Sequence, residues 1–558
     1  MPFEGLNRQS LPAEDNRMGK IRCLLAILGL GLVSACGGAS GGGGQSNSSN
    51  NVGDTTHGIV SGVVIDKSGV PISGVRITAY HTNNNIGVTT TTDANGAYSF
   101  TTLHTGDWTD YQIYPEKAGF GFYPSISGGT GNILKAGYNG LDRTVIHFSK
   151  IPTTPLTGAN FTAYRPGDKV VSVPRTGQAT SYVSGDDASA NKGVAWPGTR
   201  FTDNNNGTVT DGLTGLVWMK NAGCFAASNW STALTSANQL ASGQCGLTDE
   251  STAGQWRMPN VNELESLVDI SQSNPAVSSG NPFTNINFAN AYWSSTTYMA
   301  SASYNFANTN GSSTNAMTIR FTDGRWINGI DGSFNNDKTT SANSLWAVKS
   351  GSAGAVNLQA TGEYYVWATG DDAYHTCPFC EGTVILPGDP NGAVDTPVAG
   401  DSASLVNSRP LTSPRMIDNA DGTISDTVTG LTWLKKGDCI QASWADAIAA
   451  VNSLASGQCG LTDGSAAGQW RMPNRFEMLS LAERSATFPI AAYYDGIYGP
   501  DGITATGPVI FTSFVVLQYY WTSSTYAPDS TQAWTVYSCD FGVYNTAKSA
   551  SGYTMAVR

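Results

Sequence analysis

Two long stretches of the chain carry the same alternation of apolar and polar positions, in the same order. Each stretch opens with alternating runs around a turn rich in Asn, Asp and Gly, which predicts β-hairpins at residues 203–211 and 418–426. Apolar residues at helical spacing follow and predict helices at 230–240 and 444–454. The period is far longer than the roughly 20–50 residues of a solenoid unit, so the pattern predicts a duplicated domain.

A second helix is predicted in each repeat, directly after a shared motif. The residues Gln-Trp-Arg-Met-Pro-Asn occur at positions 255–260 and again at 469–474. Asn260 and Glu263 have capping-box spacing, and the second copy repeats it. The tryptophans are predicted to be core residues. The arginine of the motif, Arg257 in the first copy, is either a ligand-binding group or part of a structural ion pair, and the second interpretation is favoured.

The N-terminal residues have the pattern of an exported lipoprotein. Lys20 and Arg22 precede an apolar run that is too short to span a bilayer, as in a signal peptide. Residues 33–36, Val-Ser-Ala-Cys, resemble a bacterial lipoprotein cleavage box, which implies cleavage before Cys36 and lipidation of its thiol. The alternative is an ordinary signal peptide, and either Met1 or Met18 can be the start. We therefore assign residues 1–36 to the leader and 37–56, rich in Gly, Ser and Asn, to a flexible tether.

Residues 57–165 have the short alternating strands and turns of a β-sandwich. Three stretches, residues 62–66, 93–100 and 115–120, resemble the carboxypeptidase-regulatory-like family. Members of that family are immunoglobulin-like spacers and not catalysts, so the resemblance implies a supporting role for this domain.

The repeats, residues 166–349 and 350–558, resemble a bacterial domain best known as the C-terminal domain of the Legionella collagen-like adhesin. The resemblance rests on the hairpin, the Thr-Gly-Leu-x-Trp strand, the Trp-Arg-Met-Pro-Asn turn and the Tyr-Trp-Ser-Ser-Thr strand. It implies a C-type-lectin-like fold with two helices against a twisted sheet. The predicted fold is therefore multidomain, an N-terminal all-β immunoglobulin-like sandwich followed by two α+β C-type-lectin-like repeats. The adhesin's domain binds sulfated glycosaminoglycans.

Residues 165 to about 199 and 350 to about 415 are lead-in segments, each of which precedes the core of its repeat. The segments share a Gly-Asp-Asp-Ala sequence, at residues 185–188 and 370–373. They are rich in Gly, Pro and Asp, and we predict ordered loops with a few strands.

Seven of the nine cysteines remain once Cys23 leaves with the signal and Cys36 takes lipid. In an oxidising compartment these are expected to form disulfides. In each repeat one pair of cysteines brackets the first helix, and the two pairs have nearly equal spacing. This predicts the disulfides Cys224–Cys245 and Cys439–Cys459 and leaves Cys539 single. The spacing of Cys377 and Cys380 favours a local structural disulfide. A thiol–disulfide oxidoreductase site and a metal site with His375 are the less favoured alternatives.

Composition favours an extracellular binding protein over a nucleic-acid-binding protein or an enzyme. The net charge is −12, which makes nucleic acid an unfavourable partner. All five histidines lie outside residues 201–349 and 416–558, which excludes histidine-containing triads within these two cores of the repeats. The Asp-rich hairpin turns lack the ligand spacing of an EF-hand-type loop. We expect no cofactor, although a calcium requirement stays open.

We therefore expect a non-catalytic lipoprotein of the outer membrane or cell surface, held by its lipid anchor. Its expected role is adhesion through the paired repeats, with a glycan or a host or neighbour-cell protein as partner. The alternatives are a structural subunit of an envelope or secretion assembly and, less favoured, a formylglycine-generating-type enzyme. Candidate glycan-binding residues are Trp326, Asn328, Tyr544 and Asn545, because their turns offer aromatic rings beside amides. The alternative is that both rings complete the core.

Overall fold

The computed structural model describes residues 57–81, 86–104, 111–125, 135–138, 144–148, 154–169, 171–298, 315–327, 336–359, 361, 368, 371–372, 408–409, 415–482, 511–515, 518–538 and 542–558. Several predictions concern other residues and are not addressed by it. They are the leader, the tether, Cys36, Asn328, His375, Cys377, Cys380 and Cys539.

The N-terminal domain is a β-sandwich, as predicted. Its strands are β1 (His57–Asp66), β2 (Arg76–His81), β3 (Ile86–Thr91), β4 (Ala97–His104), β5 (Tyr111–Glu116), β6 (Gly121–Pro124), β7 (Lys135–Tyr138), β8 (Thr144–Phe148) and β9 (Phe161–Tyr164). They form sheets of order β4-β1-β9-β6 and β3-β2-β5-β8-β7. Alternate residues of β1 are buried, including Val60 and Val64, because successive side chains of a strand point to opposite faces.

The first repeat combines two small sheets with short helices. In chain order the elements are α1 (Asp187–Ala190), β10 (Phe201–Asp203), β11 (Thr208–Asp211), β12 (Val217–Met219), α2 (Trp230–Gln239), α3 (Val261–Ser266), β13 (Tyr292–Thr297), β14 (Ala316–Arg320), β15 (Arg325–Ile327), β16 (Val348–Lys349) and β17 (Leu358–Gln359). Strands β10-β11-β12-β16 form one sheet and β13-β14-β15 the other. Helix α1 and strand β17 lie in the two lead-in segments.

The second repeat has the same plan. Its elements are β18 (Ser408–Arg409), β19 (Met416–Asp418), β20 (Thr423–Asp426), β21 (Thr432–Leu434), β22 (Ile440–Ala442), α4 (Trp444–Asn452), α5 (Arg475–Ser480), β23 (Tyr519–Thr525), β24 (Gln532–Tyr537), β25 (Val543–Ala547) and β26 (Gly552–Thr554). Strands β19-β20-β21 form the hairpin sheet, and the larger sheet has the order β22-β26-β23-β24-β25. Both repeats contain the two predicted helices, so the α+β architecture is confirmed. Among the described residues, no helix is long and apolar enough to cross a membrane.

The first helices end slightly earlier than their apolar pattern predicts. Helix α2 stops at Gln239, since Leu240 is extended and its side chain enters the core. The Ala-Ser-Gly-Gln-Cys sequence after each helix suggests Gly243 and Gly457 as C-terminal caps, but the caps are Leu240 and Ser453. Both glycines have positive φ, 93° and 95°, in the turn beyond the helix, which is a conformation that favours glycine.

The second helices begin with the predicted capping boxes. Asn260 accepts a hydrogen bond from the Glu263 amide, and the Glu263 carboxylate accepts one from the Asn260 amide, each at 2.9 Å. Arg257 makes two further bonds to Glu263, of 2.6 and 2.5 Å. Asn474 and Glu477 repeat the box in α5. The arginine of the motif thus belongs to a structural ion pair that fixes the start of the helix.

The two repeats share a hydrophobic core. One cluster of buried residues includes Trp218 and Phe321 of the first repeat together with Trp433, Phe476 and Trp534 of the second. Apolar residues of both repeats are removed from water in one cluster. The two repeats therefore form one packed unit and not two independent domains.

Both predicted disulfides are present. Cys224 bonds to Cys245 and Cys439 to Cys459, with sequence separations of 21 and 20. Closing a loop of this size lowers the entropy of the unfolded chain, which stabilises a protein by about 3 kcal/mol. A Cys439→Ser, Cys459→Ser variant should lose about that much free energy of unfolding in urea titrations. Equal stability of this variant and the oxidised wild type would contradict the prediction.

Candidate functional site

The lead-in segments are exchanged between the repeats. Asp187, which precedes the first repeat, accepts a hydrogen bond of 2.5 Å from Ser524 of the second repeat, 337 residues away. Asp372, which follows the first repeat, accepts a 2.5 Å bond from Thr296 of that repeat. Each hydroxyl in turn accepts the first backbone N–H of a second helix, from Arg475 or from Val261, at 3.0 Å.

Residues 171–191, which we call the clasp, hold the second repeat along a broad face. The amide of Val171 donates to the Val428 carbonyl at 2.9 Å, and the amide of Thr525 donates to the Gln178 side chain at 2.8 Å. Val183 packs against the core cluster of the second repeat. The corresponding bond in the first repeat joins the Val356 amide to the Leu213 carbonyl, also at 2.9 Å. The segment before the first repeat therefore completes the second repeat.

A lysine and two aromatic rings reinforce the clasp. The ammonium of Lys548 lies 3.9 Å from the ring centroid of Trp444 and 4.3 Å from that of Tyr182. It also donates to the Thr525 hydroxyl at 2.8 Å. Tyr182 is 48% exposed, so this cation–π contact lies at the surface, where such contacts are worth about 0.5–1 kcal/mol.

Two ionisable groups at the clasp have shifted pKa values. Burial raises the pKa of Asp187 to about 7, although hydroxyls of Ser524 and Thr176 donate to its carboxylate and oppose the shift. Burial lowers the pKa of Lys548 to about 8, against the opposite influence of Asp186. In both cases removal from water disfavours the charged form.

A cleft opens where the two repeats meet. Its empty volume is about 590 Å³ with the open mouth included. Both lead-in segments and both second helices line it. The lining residues are Val171, Ser172, Val173, Pro174, Asn262, Glu265, Ser266, Trp326, Asn357, Leu358, Gln359, Phe476, Leu479 and Ser480.

The walls of this cleft differ in chemistry although the repeats share a fold. Asn262 and Glu265 of α3 occupy positions that Phe476 and Leu479 take in α5. Ser266 and Ser480 correspond in the same way. The α3 wall therefore carries polar side chains and the α5 wall apolar ones, while most of the open surface of the cleft is apolar, so the cleft suits a ligand with a large apolar face and a few polar groups beside it.

An ion pair between the repeats lies at the polar wall. Arg475 of α5 is fully buried, and its Nη2 is 2.8 Å from Oε1 of Glu265 in α3. The Trp326 indole N–H donates to the other oxygen of Glu265. Arg475 also donates to the Gly324 carbonyl. This group of contacts fixes the first repeat against the second.

The candidate glycan-binding rings are not exposed platforms. Trp326 is only 4% exposed, so neither face of its ring is open to the surface, and the core alternative holds for it. Trp326 nevertheless lines the cleft. Tyr544 is half-buried among Tyr519 and Tyr537. Asn545 accepts a hydrogen bond from Arg325 of the first repeat, so it acts at the contact between repeats.

Apart from Trp326, the residues of the cleft and the clasp were not predicted as a site. Asp187, Glu265 and Phe476 carry no motif for a ligand. One signal was available for the clasp, since Gly-Asp-Asp-Ala occurs in both lead-in segments. A duplicated acidic pair in otherwise different loops indicates a duplicated contact.

The family comparison agrees with this architecture. The Lcl C-terminal domain matches residues 207–369 and 422–558, more than half of the chain. The chain belongs to this family. The carboxypeptidase regulatory-like domain matches residues 59–121. Each Lcl C-terminal match begins inside a hairpin, and neither includes the clasp.

Comparisons with individual proteins add little. No curated protein matches. BcpA, the major pilin subunit of Bacillus cereus, is 24% identical with a TM-score of 0.13, covering 19% of this chain and 30% of BcpA. A BcpA variant gives a TM-score of 0.12 at 24% identity, with coverages of 18% and 29%. A 9R-lipoxygenase from Cyanothece PCC8801 is 10% identical with a TM-score of 0.11, covering 27% and 23%. The chain spans less than a third of each structure, and these scores support no argument.

Proposed function

We propose that this chain is a non-catalytic surface protein that recognises a neutral or weakly charged glycan in the cleft between its two Lcl C-terminal repeats. The carrying observation is the two-sided chemistry of the cleft. Asn262 and Glu265 line one side, and Phe476 and Leu479 line the other. A sugar ring has an apolar C–H face and a rim of hydroxyls, and it matches a cleft of this kind.

The motif residues themselves support a binding role over a catalytic one. The charged groups repeated in both copies are used for structure. They form the ion pairs Arg257–Glu263, Arg471–Glu477, Arg200–Asp211 and Arg415–Asp426. At the cleft, by contrast, two helical positions differ between the repeats, with Asn262 matched by Phe476 and Glu265 by Leu479. A duplicated scaffold with a divergent cleft is the arrangement expected of a recognition module.

Charge favours a weakly charged ligand over a sulfated polysaccharide. Binding a dense polyanion needs a basic surface, whereas this chain has 30 Lys and Arg against 42 Asp and Glu. The charged side chain that lines the cleft, Glu265, is acidic. Affinity should therefore change little with salt, since no extended row of charges is being screened.

The test is a glycan and protein array probed with the purified full chain, followed by variants of the cleft. Asn262→Ala should weaken the affinity for the captured glycan about five- to a hundredfold, the effect of losing one buried polar contact of roughly 1–3 kcal/mol. Asn238→Ala is the control, because Asn238 is a half-buried asparagine of α2 outside the cleft lining. Heparin affinity that collapses as salt rises, or capture of proteins alone, would contradict the proposal.

The anchor forms part of the proposed function and is testable separately. Cys36→Ala should release or mislocalise the protein, because the several acyl chains of a mature lipoprotein hold it on a membrane and a single chain does so only weakly. Fractionation of cells that express each form gives the answer. Retention of Cys36→Ala in the membrane fraction would place the anchor elsewhere.

A further inference from the structure

The clasp is positioned to act as a closure for the pair of repeats. The clasp precedes the core of the first repeat in the chain but packs against the second repeat. Its docking therefore joins the two ends of the repeat region. Val171, Val173 and Pro174 of the clasp also line the cleft. Undocking the clasp would therefore remove part of one cleft wall.

The contact at the centre of the clasp is polar and fully buried. Asp187 accepts hydrogen bonds from Thr176 at 2.7 Å and from Ser524 at 2.5 Å, and its neighbours are packed helix and strand. Both donors are neutral hydroxyls. A carboxylate in such a place is better accommodated with a proton than as an anion, since hydroxyls compensate only partly for lost hydration.

The charged groups around Asp187 do not neutralise it. Asp186 on its own helix and Glu477 on α5 both disfavour its negative charge, and Glu477 is already paired with Arg471 at 2.5 Å. Lys548 approaches from beyond β25, where its ammonium is held by Thr525 and the two rings. Arg475 contributes its backbone N–H to Ser524, while its guanidinium pairs with Glu265.

We propose that the clasp is a releasable, proton-sensitive closure, and that residues 171–191 leave the second repeat more readily as Asp187 loses its proton on approach to neutral pH. The undocked carboxyl titrates at its ordinary value and the docked one far higher, so the docked form binds more protons between those values. Docking is then strongest in acid. It weakens as the pH rises toward about 7 and changes little above that.

Lys548 acts in a separate pH range. Its lowered pKa means that the docked form binds fewer protons than the undocked form above about 8, so docking recovers as the pH rises further. The clasp should therefore be loosest between about 7 and 8. The experiment can isolate the Asp187 effect by staying below that range.

The test is amide hydrogen exchange of the full chain from about pH 5 to about pH 7.5, corrected for intrinsic rates. Two amides bond across the clasp contact and report on opening, those of Val171 and Thr525. The amides of Val557 and Arg558 bond within the second repeat and serve as references. The opening constant of the reporters should rise tens of fold over this range, the increase expected for one carboxyl with these two pKa values.

Three variants decide the result. Asp187→Asn should abolish the pH dependence of the reporters, and Asp372→Asn, in the matching lead-in segment of the first repeat, should preserve it. Tyr182→Ala removes a half-exposed ring and should raise opening about two- to fivefold at every pH. Wild-type pH dependence in Asp187→Asn would overturn the role of Asp187. Reporters that never exchange faster than the references, in any variant, would overturn a releasable clasp.

Discussion

Replacing Asp426 by alanine should lower the free energy of unfolding by about 3–5 kcal/mol, the usual cost of leaving one partner of a buried ion pair alone. Arg415 donates to Asp426 at 2.9 and 2.6 Å, and both side chains are almost wholly buried. The same carboxylate accepts from the Val428 amide and the Thr429 hydroxyl. Its loss would thus leave a buried guanidinium without its counter-charge, although Arg415 still donates to the Ser480 carbonyl, and would remove the acceptor of two further donors.

A second aspartate of the same hairpin sheet, Asp418, supplies a matched control. Asp418 pairs with Lys435 on the same small sheet, but the two side chains are 43% and 25% exposed. Exposed pairs contribute about 0–1 kcal/mol, because water solvates the separated charges. Urea unfolding of Asp426→Ala and Asp418→Ala should therefore give very different losses. Similar losses in the two variants would show that burial does not set the strength of these pairs.

Arg475→Val is the second substitution with a large expected effect. It removes the guanidinium that pairs with Glu265 across the repeats and should cost about 3–5 kcal/mol, since Glu265 then stays buried without its partner. The loss should appear in urea unfolding as a lower midpoint. Because the pair joins the repeats, the transition should also broaden as the repeats begin to unfold separately.

The duplication provides the compensating change. The first repeat has Val261 where the second has Arg475, and the second has Leu479 where the first has Glu265. A double variant, Glu265→Leu with Arg475→Val, therefore copies an apolar pair that the fold already accommodates. It should recover most of the stability, as buried ion pairs replaced by packed apolar residues often do. A double variant no better than Arg475→Val would mean that the ion pair itself, and not its disruption, determines stability.

Features with a local cause were predictable from the sequence. The capping boxes of α3 and α5 follow from residues three apart, and the disulfides follow from cysteines that bracket one helix. Hairpin turns follow from Asn, Asp and Gly at fixed offsets. Each of these depends on residues close together in the chain, so a pattern of a few letters is enough to specify it.

Features that depend on docking were not predictable in the same way. Gly324 lies in a turn, with φ of 75°, but Trp326 lies in β15, and Tyr544 and Asn545 lie in β25, so the turns predicted around these candidate residues are wrong. The burial of Trp326 depends instead on Arg475 and Glu265 meeting across the repeats. The contact of Asp187 with Ser524, 337 residues away, is equally non-local. Either copy of Gly-Asp-Asp-Ala satisfies the local chemistry of either repeat, and only the three-dimensional path of the chain determines which one docks where.

The exchanged lead-in segment also determines how the protein bears mechanical load. The sandwich ends at Tyr164, and the clasp follows within a few residues. Tension applied from the N-terminal side therefore reaches the second repeat at Val171 before it reaches the first repeat, where the Ile270 amide donates to the Thr176 carbonyl. The load path bypasses the covalent connection between the repeats. A pull on the chain should detach the clasp from the second repeat before either repeat unfolds. The clasp is therefore the segment expected to yield first under force.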